Sequence, residues 1–116
     1  MIFETLNESN ERDELLLVDG GMCHWHLRRD GQLTIREIIV EDGRQGQGIG
    51  RAIIDRLTRI EGANSLFAKC PAELPANAFY ERLGFLCEGT ETTRNGRKLN
   101  LWRLSIAPPG TGDLQK

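Results

Sequence analysis

Four glycines, Gly43, Gly46, Gly48 and Gly50, fall within eight residues, between a run of β-branched and leucine side chains (Leu33–Val40) and a stretch with helical periodicity. No other feature of the chain constrains its fold as much. Glycine loses more backbone freedom on folding than any other residue, so a cluster this dense needs a local reason. Simple chain reversal would account for one or two of the four. At a strand-to-helix junction, glycines let the backbone turn tightly and expose successive N–H groups. The helix start adds its own unpaired donors and the positive end of its dipole. Together these make an anion site suited to phosphate.

The flanking segments set the architecture around that junction. Leu15–Val18 reads as a buried strand, Asp19-Gly20-Gly21 as a turn and Met22–Arg28 as a second strand. Asp30-Gly31 marks another turn before the third strand, Leu33–Val40, so three consecutive antiparallel strands are expected. The period then changes: Ile49, Ile53, Leu57 and Ile60 recur at helical spacing from Gly48 to about Ile60, and Gly62 ends that helix. Ser65–Cys70 reads as a short strand, and Ala76–Leu83 as a two-turn helix closed by Gly84. Asn95-Gly96 predicts a hairpin between Phe85–Thr93 and Lys98–Ile106. In the last strand Leu99 and Leu101 share one face and Trp102, Leu104 and Ile106 the other, which requires burial on both faces or a bulge. The order β-β-β-α-β-α-β-β predicts an α+β (α/β) fold with a mixed, mostly antiparallel sheet and its helices packed on it. Residues 1–14 read as a polar arm or short strand and residues 107–116 as a flexible tail, all within one domain spanning 1–116.

Elimination narrows the phosphate ligand. The dinucleotide fingerprint would need glycine where Arg51 stands, and a P-loop would need Gly-Lys-Ser/Thr where the chain has Gly50-Arg51-Ala52. Gln45-Gly46-Gln47-Gly48-Ile49-Gly50 instead resembles the Q/R-x-x-G-x-G/A acyl-CoA pyrophosphate loop of the GCN5-related N-acetyltransferases, the GNAT family. Thirty residues on, Ala76-Asn77-Ala78-Phe79-Tyr80-Glu81-Arg82-Leu83-Gly84-Phe85 resembles the family's short helix ending in Tyr-x-x-x-Gly-Phe. The resemblance covers about residues 15–106 and implies a sheet whose third and fourth strands splay apart around acetyl-CoA. It also implies that backbone groups of Ile38 and Val40 pair with the pantetheine arm. Gln45, Gly46, Gln47, Gly48, Ile49, Gly50 and Arg51 would then hold the pyrophosphate. The family places a strand and two helices before the three-strand meander, whereas here about 14 polar residues precede it, implying a fold that lacks most of the N-terminal helices.

Acetyl transfer to an amine needs a neutral nucleophile, a polarised carbonyl and a proton for the departing thiolate. The resemblance puts Tyr80, the sole tyrosine, at the general-acid position. For the base, Glu37 lies near the cofactor end of the third strand, on the face opposite Arg36 because strand side chains alternate. His24, His26 and solvent are the alternatives to Glu37. His24 and His26 share a strand face, but no third ligand accompanies them, so no metal is expected. Where many family members carry a cofactor-contacting asparagine, seven residues before the tyrosine, this chain has Glu73; Asn77 reads as a helix-surface or capping residue.

Composition excludes several other classes. With 39% hydrophobic and 28% charged residues the chain is neither disordered nor membrane-spanning, because its apolar runs fall far short of the roughly 20 residues a bilayer needs. The net charge of −2 provides no global field for nucleic acid, and the arginines of the first helix alternate with Asp55 and Glu61 as on a solvated face. Three cysteines without CxxC spacing, and an N-terminus lacking a signal-peptide pattern, point to a reduced, cytoplasmic protein. The expected activity is transfer of acetyl from acetyl-CoA to a primary amine. The short N-terminal segment favours a bulky acceptor, a protein or polymer, or a second subunit in a homodimer over the open side. A catalytically idle acyl-CoA-binding or partner-binding module on the same fold is the alternative.

Overall fold

The computed structural model describes residues 12–106, so the expectations for residues 1–11 and for the 107–116 tail lie outside the described residues. Six strands form one sheet in the order β1-β2-β3-β4-β6-β5: β1 Arg12–Val18, β2 Gly21–Leu27, β3 Gln32–Val40, β4 Ser65–Pro71, β5 Leu86–Thr92 and β6 Lys98–Ser105. Helix α1, Ile49–Thr58, joins β3 to β4, and helix α2, Ala76–Arg82, joins β4 to β5. The β3–β4 pair is parallel and the other four pairs are antiparallel. That follows from the connections, since tight turns reverse the chain whereas a helical crossover returns it in the same direction. The architecture is the mixed α+β sheet expected from the element order.

Alternation along each strand sends Cys23, Trp25 and Leu27, Leu33 and Ile35, Leu66, Ala68 and Cys70, and Trp102 to one face, where they meet Ile53, Ile54 and Leu57 of α1 and Tyr80 of α2. Ile53 and Leu57 are wholly buried, and each stabilises the fold by about 1.5–3 kcal/mol relative to an exposed side chain. The opposite face carries Asp13, Leu15 and Leu17 of β1 and Met22, His24 and His26 of β2; Leu15 and Leu17 are exposed. Strand β1 begins three residues before the expected start because pairing with β2 draws Arg12, Asp13 and Glu14 into the ladder. Helix α1 ends at Thr58, short of Ile60. The chain continues in tight turns, with Ile60 N–H bonded to Leu57 O at 3.2 Å, and Ile60 still packs on the core. No helix among the described residues is long and apolar enough to cross a membrane.

Two register shifts shape the functional end of the sheet. On β3, Ile35 faces Trp25 but Glu37 faces His24, which leaves Arg36 as an extra residue. The bulge cancels strict alternation there. Arg36 and Glu37 therefore do not occupy opposite faces: the Arg36 guanidinium lies 4.0 Å from Asp13, which also contacts His24, the cross-strand partner of Glu37. The parallel ladder with β4 ends at Ile35 and Ala68, immediately before the bulge. From Arg36 to Val40, β3 shares no ladder with β4. The second shift leaves Glu88 as the extra residue of β5. That bulge lies opposite β6, which itself pairs with β4 in unbroken register and keeps Leu99 and Leu101 half-buried while Trp102 is buried.

Candidate functional site

Beyond Val40 the chain turns through the glycine segment into α1. Gly43, Gly46 and Gly48 have φ of +83°, +85° and +84°, and a Cβ added at any of them would meet nothing within 4 Å. They are glycines for conformation, and the space above them is open. Arg44 fastens the segment by bonding both Asp19 carboxylate oxygens, at 3.2 and 3.3 Å, and the Gln47 side chain at 3.2 Å. After Arg44, whose N–H bonds Glu41 O, the next backbone N–H to find a carbonyl is that of Ala52, bonded to Gly48 O at 2.9 Å. The seven N–H groups from Gln45 to Arg51 thus have no backbone partner among the described residues. No acidic residue stands in the first turn of α1, so the helix dipole adds to these donors unopposed.

A groove of about 610 Å³ opens over this segment. One side is built by Ile38, Val40, Gln45, Gly46, Gly48, Ile49, Gly50 and Arg51, which brings together eight of the residues singled out in the sequence. The other side is Leu74, Pro75, Ala76, Phe79, Arg82 and Leu83, and sequence reasoning missed this wall. Its signal was the spacing of Ala76, Phe79 and Leu83, which marks one helical face. Gly50 differs from the other glycines of the cluster, because a Cβ there would lie 2.6 Å from Phe79 Cε1. Its role is close packing of α1 on α2.

Three expected site residues lie outside the groove wall. Gln47 is engaged by Arg44. Glu37 is exposed on the outer face of β3 beside the bulge, where its neighbour His24 is bonded to Asp13 at 2.5 Å. The Tyr80 ring is buried, stacked on Trp102 at 6.3 Å between centroids and edge-on to Phe79 and Phe85 at 5.3 and 5.2 Å. Burial pushes its hydroxyl pKa well above 10, with Cys70 and Cys23 adding to the shift, so the O–H is protonated throughout the working range.

Asn77 and Glu73 shape the loop before α2. The Asn77 amide donates to the carbonyls of Pro71 and Leu74 at 2.9 and 2.7 Å and more weakly to Ala72 at 3.3 Å. Its Oδ1 accepts from Asn100 Nδ2 and Trp102 Nε1, both at 2.9 Å. Asn77 is therefore an internal joint between loop, helix and sheet. Glu73 accepts two bonds from Arg97, at 3.2 and 2.7 Å, which hold its pKa below the usual carboxylate range and tie the loop to the β5–β6 hairpin.

A strand edge without a ladder partner runs into a cradle of N–H groups, an arrangement that can pair with an extended amide-bearing chain and hold an anion at its end. The chain belongs to the acetyltransferase (GNAT) domain family, whose model matches residues 9–86. No curated protein matches it. Among solved structures it is similar to a GNAT-family acetyltransferase from Desulfovibrio desulfuricans, with 24% identity over 91% of this chain and 77% of that one and a TM-score of 0.71. The ribosomal-protein-S18-alanine N-acetyltransferase of Escherichia coli is also 24% identical, over 95% of this chain and 78% of that one, with a TM-score of 0.66. An aminoglycoside 6′-N-acetyltransferase, solved with coenzyme A, is 13% identical over 92% of this chain and 78% of that one, with a TM-score of 0.69.

Proposed function

We propose that the protein transfers the acetyl group of acetyl-CoA to a primary amine by direct attack, with the pyrophosphate held on the N–H groups of Gly46 to Arg51 and the pantetheine arm paired along Ile38–Val40. The observation that carries this reading is the unbroken run of seven N–H groups beside the unladdered edge of β3. When bound, acetyl-CoA supplies an activated acyl carbon. The neutral amine forms the C–N bond, the C–S bond breaks, and the thiolate departs.

Tyr80 is the proton-side partner of that thiolate in this reading. Its raised pKa keeps a proton available. Because a thiol titrates at roughly 8.5, full transfer from so weak an acid runs uphill, and the hydroxyl acts mainly by donating a hydrogen bond to the sulfur. Glu37 takes the surplus proton of the amine, with His24, His26 and solvent as the alternatives. The acceptor approaches over the outer face of the sheet, where Glu37 and His24 stand together and where Leu15, Leu17 and Ile39 expose apolar surface for a bulky acceptor or a second copy of the chain. A cytoplasmic setting agrees with three free cysteines.

The test is incubation with acetyl-CoA and a panel of a polyamine, an aminoglycoside, a lysine peptide and an alanine N-terminal peptide, with free coenzyme A and acetylated product read by mass spectrometry. Product on any acceptor supports the proposal. Tight binding of acetyl-CoA with no coenzyme A released on any member would instead identify an acyl-CoA-binding module.

A further inference from the structure

Coenzyme A carries an anion that the glycine cradle leaves unmatched: the 3′-phosphate of its ribose. We propose that Arg82 reads that phosphate and makes the protein selective for coenzyme A over its 3′-dephospho form; the inference rests on the acetyl-CoA reading above. Two cations line the groove, Arg51 and Arg82. Arg51 stands in the first turn of α1, beside the N–H groups to which the acetyl-CoA reading assigns the pyrophosphate. Arg82 stands on the opposite wall, in the last turn of α2.

Its position follows from helical spacing. Phe79, Arg82 and Leu83 lie three and four residues apart and share one face of α2, and the Phe79 ring presses against Gly50. That face therefore looks toward the start of α1, with Arg82 about one turn beyond the contact. A phosphate displaced from the pyrophosphate by the width of a ribose meets this wall rather than the glycine segment.

Its charge is also uncommitted. Arg28, Arg36, Arg44, Lys69, Arg97 and Arg103 each lie within 4.0 Å of a carboxylate. Among the described residues neither Arg51 nor Arg82 does. A guanidinium matches a phosphate with two parallel N–H bonds, a geometry an ammonium cannot reproduce. The competing role for Arg82 is to complement the negative C-terminal end of the α2 dipole. That role would change stability without distinguishing two ligands that differ by one phosphate.

The experiment is calorimetric titration of coenzyme A and 3′-dephospho-coenzyme A into the full chain and into Arg82→Gln, Arg82→Lys and Arg51→Gln, each checked for folding by circular dichroism. The parent chain is expected to bind coenzyme A roughly tenfold more tightly than the dephospho form, as befits one charge-assisted phosphate contact. Arg82→Gln should bring the two affinities together by weakening coenzyme A alone. Arg82→Lys should keep part of the preference, and Arg51→Gln should weaken both ligands by the same factor. Equal affinities in the parent chain, or a preference that survives Arg82→Gln, would overturn the proposal and leave the acetyl-CoA reading standing. Failure of both ligands to bind the folded parent chain would overturn the two together.

Discussion

Replacing Asn77 with alanine removes the joint that fixes the groove's second wall, and its cost can be worked from the contacts. The bonds to the carbonyls of Ala72 and Leu74 lie on exposed residues, where water replaces the lost amide at little net cost. The acceptor side is different. Trp102 is 7% exposed, and its indole N–H is left without a partner, a loss of about 1–3 kcal/mol. Asn100 and the Pro71 carbonyl, both half-buried, together add about 1 kcal/mol. The expected total of about 2–4 kcal/mol is a large share of the roughly 5–15 kcal/mol that stabilises a small domain. In a chain of this size it lowers Tm by roughly 8–15 °C. Circular-dichroism melting of Asn77→Ala, Trp102→Phe and the double variant measures it, with a coupling of about 1–2 kcal/mol expected between the sites. Leu74 and Pro75 lose their anchor in the same variant, so acetyl-CoA binding weakens as well. A Tm within about 3 °C of the parent, together with weaker acetyl-CoA binding, would refute this reasoning and make Asn77 a ligand contact instead.

Tyr80→Phe keeps the ring cluster and acetyl-CoA affinity but lowers turnover on the order of a hundredfold; unchanged turnover on a working acceptor removes Tyr80 from the mechanism. Asp19 and Glu88 are held below the usual carboxylate range first by arginine hydrogen bonds, from Arg44 and Arg103, as Glu73 is by Arg97, and Asp30 first by the Gln32 N–H. Their folded pKa values lie below the unfolded ones, so their stabilisation is complete at neutral pH and is lost as pH falls below about 4. Urea midpoints should be level from pH 8 to 5 and drop beneath that, and a midpoint that rises on acidification contradicts the assignment. Burial pushes the Cys23 thiol up to about 12, while Cys87 is exposed. Iodoacetamide at pH 8 should therefore label Cys87 in the native protein and spare Cys23; comparable labelling of both would show that the β2 core opens.

Much of the fold was legible in the chain because its signals are local. Ile49, Ile53 and Leu57 announce α1 by spacing, Asn95-Gly96 announces the last hairpin, and the glycine cluster announces an anion cradle at a strand-to-helix turn. Each depends on residues within a turn or two of one another. The groove's near wall, from Ile38 to Arg51, could be read for the same reason. Its far wall was missed, because the spacing of Ala76, Phe79 and Leu83 marks one face of α2 without saying that this face meets α1. Glu73 stood out as a departure from the family pattern, and only its contact with Arg97, 24 residues away, revealed what it does.

The sequence by itself determined the element order, the mixed sheet, the family and the glycine turn between β3 and α1, all properties of backbone preference and hydrophobic period. Tertiary structure decided the rest. It inserted Arg36 as a bulge and so put Arg36 and Glu37 on the side of His24, buried the Tyr80 ring in an aromatic cluster, turned Gly50 into a packing residue for Phe79, and made Asn77 a joint for Trp102. These facts depend on the register of strands and the seating of helices, which bring together residues 12 to 29 positions apart. Such contacts are chosen by the shape and polarity of both partners at once, so neither partner's local sequence records them.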